Sequence, residues 1–238
     1  MKILMGKAQI ETGMSVAASQ PYTLTVLNEN KAFQQFALFQ TLPDLIVPSQ
    51  DPLSLAWILG AAAGGSSSNP SRSLFSWVID FSASTGYIQQ FSSSSPRQYA
   101  TSSSVSVGVE RDNRVTAQYV GQPFPKGAPA FGQPENGTSG LIQVQADGSI
   151  PTSVQQDSNK MFISVGLAMD GKPTVAVQLL PNLSYQFTPK PSYYIVSGSF
   201  IEGQVMDTAI ISQAFKVEFD GVTDRTLVFT EKNQFRSA

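Results

Sequence analysis

The chain has 238 residues, 41% of them hydrophobic and 13% charged, a formal net charge of −2, and neither histidine nor cysteine. The apolar mass suffices for a sizeable core, while the charged share is about half the roughly 25% of ordinary soluble domains, so Ser, Thr, Gln and Asn must form much of the surface. The two missing residue types exclude disulfides, thiolate nucleophiles, His-ligated zinc, the Ser-His-Asp constellation and any imidazole base at neutral pH.

At the N-terminus only Ile3, Leu4 and Met5 precede Gly6 and Lys7, too short an apolar run for a signal peptide. The longest apolar stretch, 56–63, is far below the roughly 20 residues that span a bilayer. Both features predict a soluble, cytoplasmic protein made without a leader, although leaderless export stays open. Residues 1–20 read as a weakly structured extension in which Met14 is an alternative start, and 21–238 as one domain.

Residues 22–87 are the organising stretch, because they hold both tryptophans and a dense run of aromatics. Tyr22, Leu24 and Val26 alternate with Thr23, Thr25 and Leu27, the period of a half-buried strand. A turn at 28–31 follows. Phe33, Phe36 and Phe39 fit one helical face or a buried strand, and Pro43 and Pro48 favour the strand. The apolar run 53–59 ends at Gly60, and the Gly/Ser tract 64–70 is expected to be a mobile loop. Residues 74–81, with Asp80 inside them, read as a third strand. Val105, Val107 and Val109 alternate with small residues, and 115–120 is expected to return through a turn at 111–114.

Residues 121–140 are dominated by Gly and Pro, repeat Gly-Gln-Pro at 121–123 and 132–134, and carry Phe124 and Phe131. The composition predicts a long loop packed on the domain, without a strand ladder or helix, and a candidate wall of a binding site. Further strands are expected at 141–144, 162–168, 174–179, 185–187, 193–196, 207–211, 215–219 and 226–229. Asp147-Gly148, Asp170-Gly171 and Asp220-Gly221 supply turns between them. This rhythm predicts an all-β fold: an antiparallel β-sandwich, jelly-roll-like or a related two-sheet architecture, with long Gly/Pro- and Ser-rich loops.

Chemistry is sparse. No catalytic residue, metal site or cofactor is assigned. Carboxylates at Asp44, Asp51, Asp80, Glu202 and Asp207 are the material for a two-acid glycosidase or lyase. Among them Asp80 sits inside an apolar run, where burial would raise its pKa, or else at a strand end, where its carboxylate would accept backbone or tyrosine hydrogen bonds. Oxygen-ligand calcium loops and phosphate-binding glycine motifs are missing, and Lys and Arg are too scattered for nucleic acid. Phe91, Tyr99 and further aromatics lie in or near predicted loops, where a sugar can stack on a ring while amides take its hydroxyls. The candidate ligand residues are Asp80, Tyr87, Phe124, Phe131, Tyr193 and Tyr194, and the expected ligand is a saccharide or other small molecule. Low charge and excess aromatics also allow a homodimer, and the same rings allow a membrane-active, toxin-like sandwich.

One ordered series of residues has a family likeness. Asn28, Phe33, Phe36, Phe39-Gln40-Thr41-Leu42-Pro43, Ser54-Leu55-Ala56-Trp57, Phe75-Ser76-Trp77 and Asp80-Phe81 stand in the first half. Val165-Gly166-Leu167-Ala168-Met169, Val177-Gln178, Pro181-Asn182-Leu183 and Phe187-Thr188-Pro189-Lys190-Pro191-Ser192-Tyr193-Tyr194 continue it in the second. The series resembles the RhiA-like family of rhizosphere-induced proteins. The resemblance implies a soluble bacterial protein without a signal sequence, induced in the plant-root zone and tied to population-density control (quorum sensing), with no established catalytic residues. The family's longer aromatic run after Asp80-Phe81 is replaced here by Ser82, Ala83, Ser84, Thr85 and Gly86, and the serine-rich segment near 64–73 is unusual, which implies a different ligand or none at that place.

Overall fold

A computed structural model describes residues 21–40, 44–46, 52–189 and 192–238, so the 1–20 extension, Met14 and Asp51 lie outside the described residues. The first strands are β1 (Tyr22–Asn28), β2 (Gln34–Gln40), β3 (Asp44–Ile46), β4 (Leu53–Ser54), β5 (Ile58–Ala62) and β6 (Ser71–Trp77). They are followed by β7 (Phe81–Gln89), β8 (Gln98–Val107), β9 (Arg114–Val120), β10 (Ala128–Phe131) and β11 (Ile142–Ala146). Helix α1 (Ser153–Asn159) precedes β12 (Phe162–Met169), β13 (Lys172–Gln178), β14 (Ser184–Thr188) and β15 (Tyr193–Ser197). Helix α2 (Thr208–Ile211), β16 (Phe215–Val217), β17 (Asp224–Phe229) and β18 (Phe235–Ser237) close the chain.

The fold is all-β and sandwich-like, as the strand rhythm predicts, and the described strands form four sheets. The orders β18-β17-β1-β6 and β16-β15-β2-β5 make one facing pair, and β10-β9-β11-β14-β3 and β4-β13-β12-β7-β8 make another. Period-two alternation builds each core. In the first sandwich Leu24 and Val26, Phe36 and Leu38, Phe75 and Trp77, Tyr193 and Ile195, and Leu227 and Phe229 turn inward from their strands. In the second, Val115 and Ala117, Ile142 and Val144, Ile163 and Val165, and Tyr185 and Phe187 do the same.

Strands β1, β2, β5 and β6 together with β15–β18 build the first sandwich, and residues 81–188 are inserted between them as most of the second. Two edge strands lace them together, because β3 pairs with β14 and β4 with β13 before the chain returns to β5. Trp57 locks the junction by donating its indole N–H to the Met169 carbonyl at 2.9 Å. The segment around Gln204 adds Ala56 N to Gln204 O at 2.8 Å and Val205 N to Arg97 O at 2.9 Å.

Several local expectations change. The run 74–81 is interrupted: β6 ends at Trp77 and β7 starts at Phe81, so Asp80 sits exposed at the crossing between sheets. The expected return across 111–114 is a crossover too, since β8 pairs with β7 while β9 pairs with β10 and β11. Buried Asn113 holds that crossing, donating to the carbonyls of Val109, Thr138 and Leu141 and accepting from Gly137 N. Within 121–140, β10 does form a ladder with β9. It is an edge strand, where Pro129 need not supply an N–H to a second neighbour.

The tract 64–70 is a hydrogen-bonded turn, with Ser66 and Asn69 bonded to each other through their backbones. Gly64 and Gly65 pack so close to the 28–31 turn that a Cβ would fall 2.1 Å from Lys31 O and 2.2 Å from Asn28 O. Finally, 207–211 is not a strand. Asp207 caps α2, its carboxylate accepting from Ile210 N at 2.9 Å.

Candidate ligand-binding cleft

The six residues singled out by sequence occupy four places. Asp80 accepts a hydrogen bond from Asp170 N at 2.6 Å at the base of the β12–β13 hairpin. Its exposure overturns the buried-acid reading, because the crossing between sheets carries it out of the apolar strand, while the bond from Asp170 N agrees with the strand-end reading. Tyr87, Phe124 and Phe131 all pack on the core of the second sandwich. Phe124 meets Tyr119 edge-on at 5.6 Å, and the Tyr87 hydroxyl donates to Gly127 O at 3.4 Å. Burial first, and then the neighbouring Tyr119 hydroxyl, push the Tyr87 phenol well above its ordinary range.

Tyr193 belongs to the first core, its ring 4.9 Å from Trp77 and 6.1 Å from Trp57. Burial pushes its phenol from 10.0 up to about 12. The Trp77 indole lies near enough to ease that shift a little but outside hydrogen-bond geometry, so Trp77 Nε1 and the Tyr193 hydroxyl are both buried without a partner. Tyr194 points to the opposite face of its sheet and stacks on Phe39 at 5.7 Å. Of the other aromatics, Tyr99 is buried and bonds Ser84 through its hydroxyl at 3.2 Å, whereas Phe91 is 76% exposed. Glu202 is paired with Lys172 at 2.8 Å. Among the described residues no group of three or more His, Cys, Asp or Glu could hold a metal ion.

A cleft built from other residues has the composition that a sugar needs. It opens at one end of the first sandwich, where β2 and β15 meet β16 and the β17–β18 hairpin, and encloses about 790 Å³. Its apolar wall is an aromatic series leading outward from the core: Phe229 is buried, Phe235 lies 4.9 Å from it, and half-buried Phe215 lies 6.0 Å from Phe235. Gln34, Ser197, Gln213, Asn233 and Gln234 supply the polar wall, and among the described residues no ionisable side chain lines the cleft.

The polar wall is partly fixed in advance. Ser197 Oγ donates to Gln34 Oε1 at 3.0 Å, and Asn233 Oδ1 accepts from Asn30 Nδ2 at 2.7 Å. Asn233 adopts a left-handed φ of 58° in the hairpin turn, which Asn tolerates well, and this conformation presents it and Gln234 at the rim. Sequence reasoning missed these residues because they come from four separate segments. Each alone is a glutamine, asparagine, serine or phenylalanine near a strand end, with no local motif to mark it.

An all-β, sandwich-like protein with an uncharged aromatic and amide cleft is thus the class that the fold and site define. The chain belongs to the RhiA family, whose pattern it matches over residues 19–237. It is 33% identical over 93 residues to protein RhiA of Rhizobium leguminosarum bv. viciae, an alignment covering 39% of this chain and 35% of that protein. The match therefore spans about a third of the relative's length. No solved structure matches the chain. No helix among the described residues is long and apolar enough to cross a membrane.

Proposed function

We propose that this RhiA-family protein is a non-catalytic binding protein that takes a neutral, plant-derived or surface saccharide into the cleft at the end of the first sandwich. The observation that carries the reading is the cleft's lining: phenylalanine on one side, amides and a hydroxyl on the other, and no charge among the described residues. An aromatic face accepts the C–H side of a pyranose, and amides offer both donors and acceptors to its hydroxyls. The volume of about 790 Å³ falls within the usual range of small-ligand sites. A plant-associated, density-regulated setting and a cytoplasmic location belong to this proposal and rest on the family resemblance.

The test is titration calorimetry of the full chain against a panel of neutral mono- to tetrasaccharides. The expected result is binding that Phe235→Ala weakens by about tenfold and Gln234→Ala by less, since base- or sugar-stacking rings outweigh a rim amide. Binding unaffected by Phe235→Ala in a correctly folded variant, or silence across the whole panel, overturns the proposal.

A further inference from the structure

A second cavity, of about 640 Å³, lies on the outer face of the β4-β13-β12-β7-β8 sheet, away from the core of that sandwich. The alternation of β12 places it there. Ile163, Val165 and Leu167 turn into the core, so Phe162 and Ser164 turn to the other face. Phe162 pairs across the ladder with Ile88, and Leu53 of β4 completes an apolar floor beside them.

Two features of this cavity have no use within the fold. Ser164 is fully buried at its base, and the Ser164 hydroxyl has no hydrogen-bond partner. A buried hydroxyl with nothing to bond is costly and uncommon, and it calls for an explanation. At the mouth stand two cations, Arg97 and Lys160, and neither forms an ion pair among the described residues, although the surface elsewhere pairs Arg114 with Glu135 and Lys172 with Glu202.

The backbone that carries each cation is anchored near the mouth. Lys160 ends α1 in a left-handed conformation, φ 53°, and donates its backbone N–H to the last carbonyls of the helix. That helix is tied to the sheet by buried Gln156, which donates to Pro151 O and Leu179 O at 2.8 Å and accepts from Ile163 N at 2.9 Å. Arg97 is fixed from the other side, its carbonyl accepting from Val205 N at 2.9 Å. The floor is apolar, the far end offers the unpartnered Ser164 hydroxyl beside Gln178, with Gln89 and Gln90 also in the lining, and the entrance carries positive charge that is unpaired among the described residues.

We propose that this cavity binds a small organic acid. Its carboxylate sits between Arg97 and Lys160, its apolar body lies on Leu53, Ile88 and Phe162, and a hydrogen-bonding group at its far end reaches Ser164. The site is independent of the saccharide cleft, shares no residue with it, and lies on the other sandwich.

Three probes separate the parts: 4-hydroxybenzoate has all of them, 4-hydroxybenzamide lacks the charge, and benzoate lacks the far hydroxyl. Calorimetry on the full chain should show the hydroxy acid binding about tenfold more tightly than the amide, because charge-assisted hydrogen bonds are the strong ones. Arg97→Gln and Lys160→Gln, both at exposed positions and checked by unaltered melting, should each remove most of that preference. Ser164→Ala should leave benzoate binding unchanged and weaken 4-hydroxybenzoate about fivefold, since a site that bonds a hydroxyl discriminates by it. Equal binding of acid and amide, or acid binding indifferent to both cation substitutions, overturns the proposal. So does inorganic phosphate competing as well as the hydroxy acid, which would reduce the site to a general anion contact. If Ser164→Ala has no effect on either acid, the far-end assignment is wrong.

Discussion

The two sandwiches solve the same packing problem with different side chains. The first fills its interior with large rings, Trp57, Trp77, Phe36, Phe75, Phe219, Phe229 and Tyr193, and aliphatics such as Leu24 and Leu38 between them. The second is filled by many small aliphatics from β9, β11, β12 and β13, with Tyr185 and Phe187 as its large buried rings. Rings bury much area each but bring polar handles, and the first core leaves Trp77 Nε1 and the Tyr193 hydroxyl unpaired. Aliphatics interdigitate without polar atoms, and in the second sandwich the Tyr185 hydroxyl is fully used, accepting from Leu180 N at 2.8 Å and donating to Gln178 O at 3.0 Å, although the Tyr119 hydroxyl beside that core and Ser164 Oγ on β12 are buried without a partner too. The candidate sites follow the same division. Aromatic rings run out of the first core to make an uncharged cleft, whereas the second sandwich carries its cavity on an outer sheet face with cations at the rim.

The largest expected effect tests that contrast directly. Trp77→Ala should cost about 3–5 kcal/mol, because a cavity the size of an indole cannot collapse among stacked rings. Ile163→Ala, a deletion from the second core, should fall lower, within about 2–5 kcal/mol and nearer the small end, as neighbouring aliphatics can shift into the space. Trp77→Phe keeps a ring and removes the unpaired N–H, so it should recover most of the loss. Urea denaturation of the three variants gives the order. An Ile163→Ala loss equal to that of Trp77→Ala would show that ring size does not set the difference.

A second prediction concerns alkali. Burial pushes the Tyr185 phenol from 10.0 up to about 12, partly offset by the Leu180 N–H, which stabilises the ionised form. The unfolded chain ionises near 10 while the folded chain resists, so Tyr185 favours the fold fully below pH 10 and loses that advantage as pH rises towards about 12. Tyr193 behaves in the same direction over the same window. Tyr185→Phe should destabilise the protein at neutral pH by roughly 1–3 kcal/mol, by stranding Gln178 O and Leu180 N. It should also flatten the decline between pH 10 and 12, which stability curves at pH 8, 10 and 11.5 would reveal. An unchanged slope would remove Tyr185 from the alkaline transition.

Where the sequence is legible, the determinants are local. Leu24 and Val26 alternate within one strand, and Asp170-Gly171 can take the paired left-handed angles, φ 52° and 69°, that close the β12–β13 hairpin. The division into four sheets is not local. β1 runs parallel to β17, and β11 to β9, pairings between segments whose own residues carry no mark of their partners. Asp80 misled for the same reason: an apolar stretch on both sides is compatible with one strand or with two strands in different sheets. The cleft residues Gln34, Ser197, Gln213 and Gln234 meet only through that tertiary pairing. Helix α1 is the opposite case, since Thr152 and Gln155 form a capping box whose Thr-x-x-Gln spacing was present in the sequence but lay inside a short, polar, unperiodic segment.

That cap supports the smallest and most selective prediction. Thr152 Oγ1 accepts from Gln155 N while the Gln155 side chain accepts from Thr152 N at 2.8 Å, so two otherwise unpaired donors are satisfied at the start of α1. Thr152→Ala should therefore cost about 1 kcal/mol, within the range for lost N-caps. Because buried Gln156 still ties the helix to Pro151 and Leu179, the helix should loosen without detaching. Lys160 ends that helix, so a looser α1 blurs the position of one of the two cations while leaving its charge in place. Affinity for 4-hydroxybenzoate should then fall by less than in Lys160→Gln, and saccharide binding at the first sandwich should not move. Amide hydrogen exchange across 153–160 measures the loosening independently. If exchange accelerates and acid binding stays unchanged, Lys160 contributes charge alone, and the helix is not part of what shapes the second site.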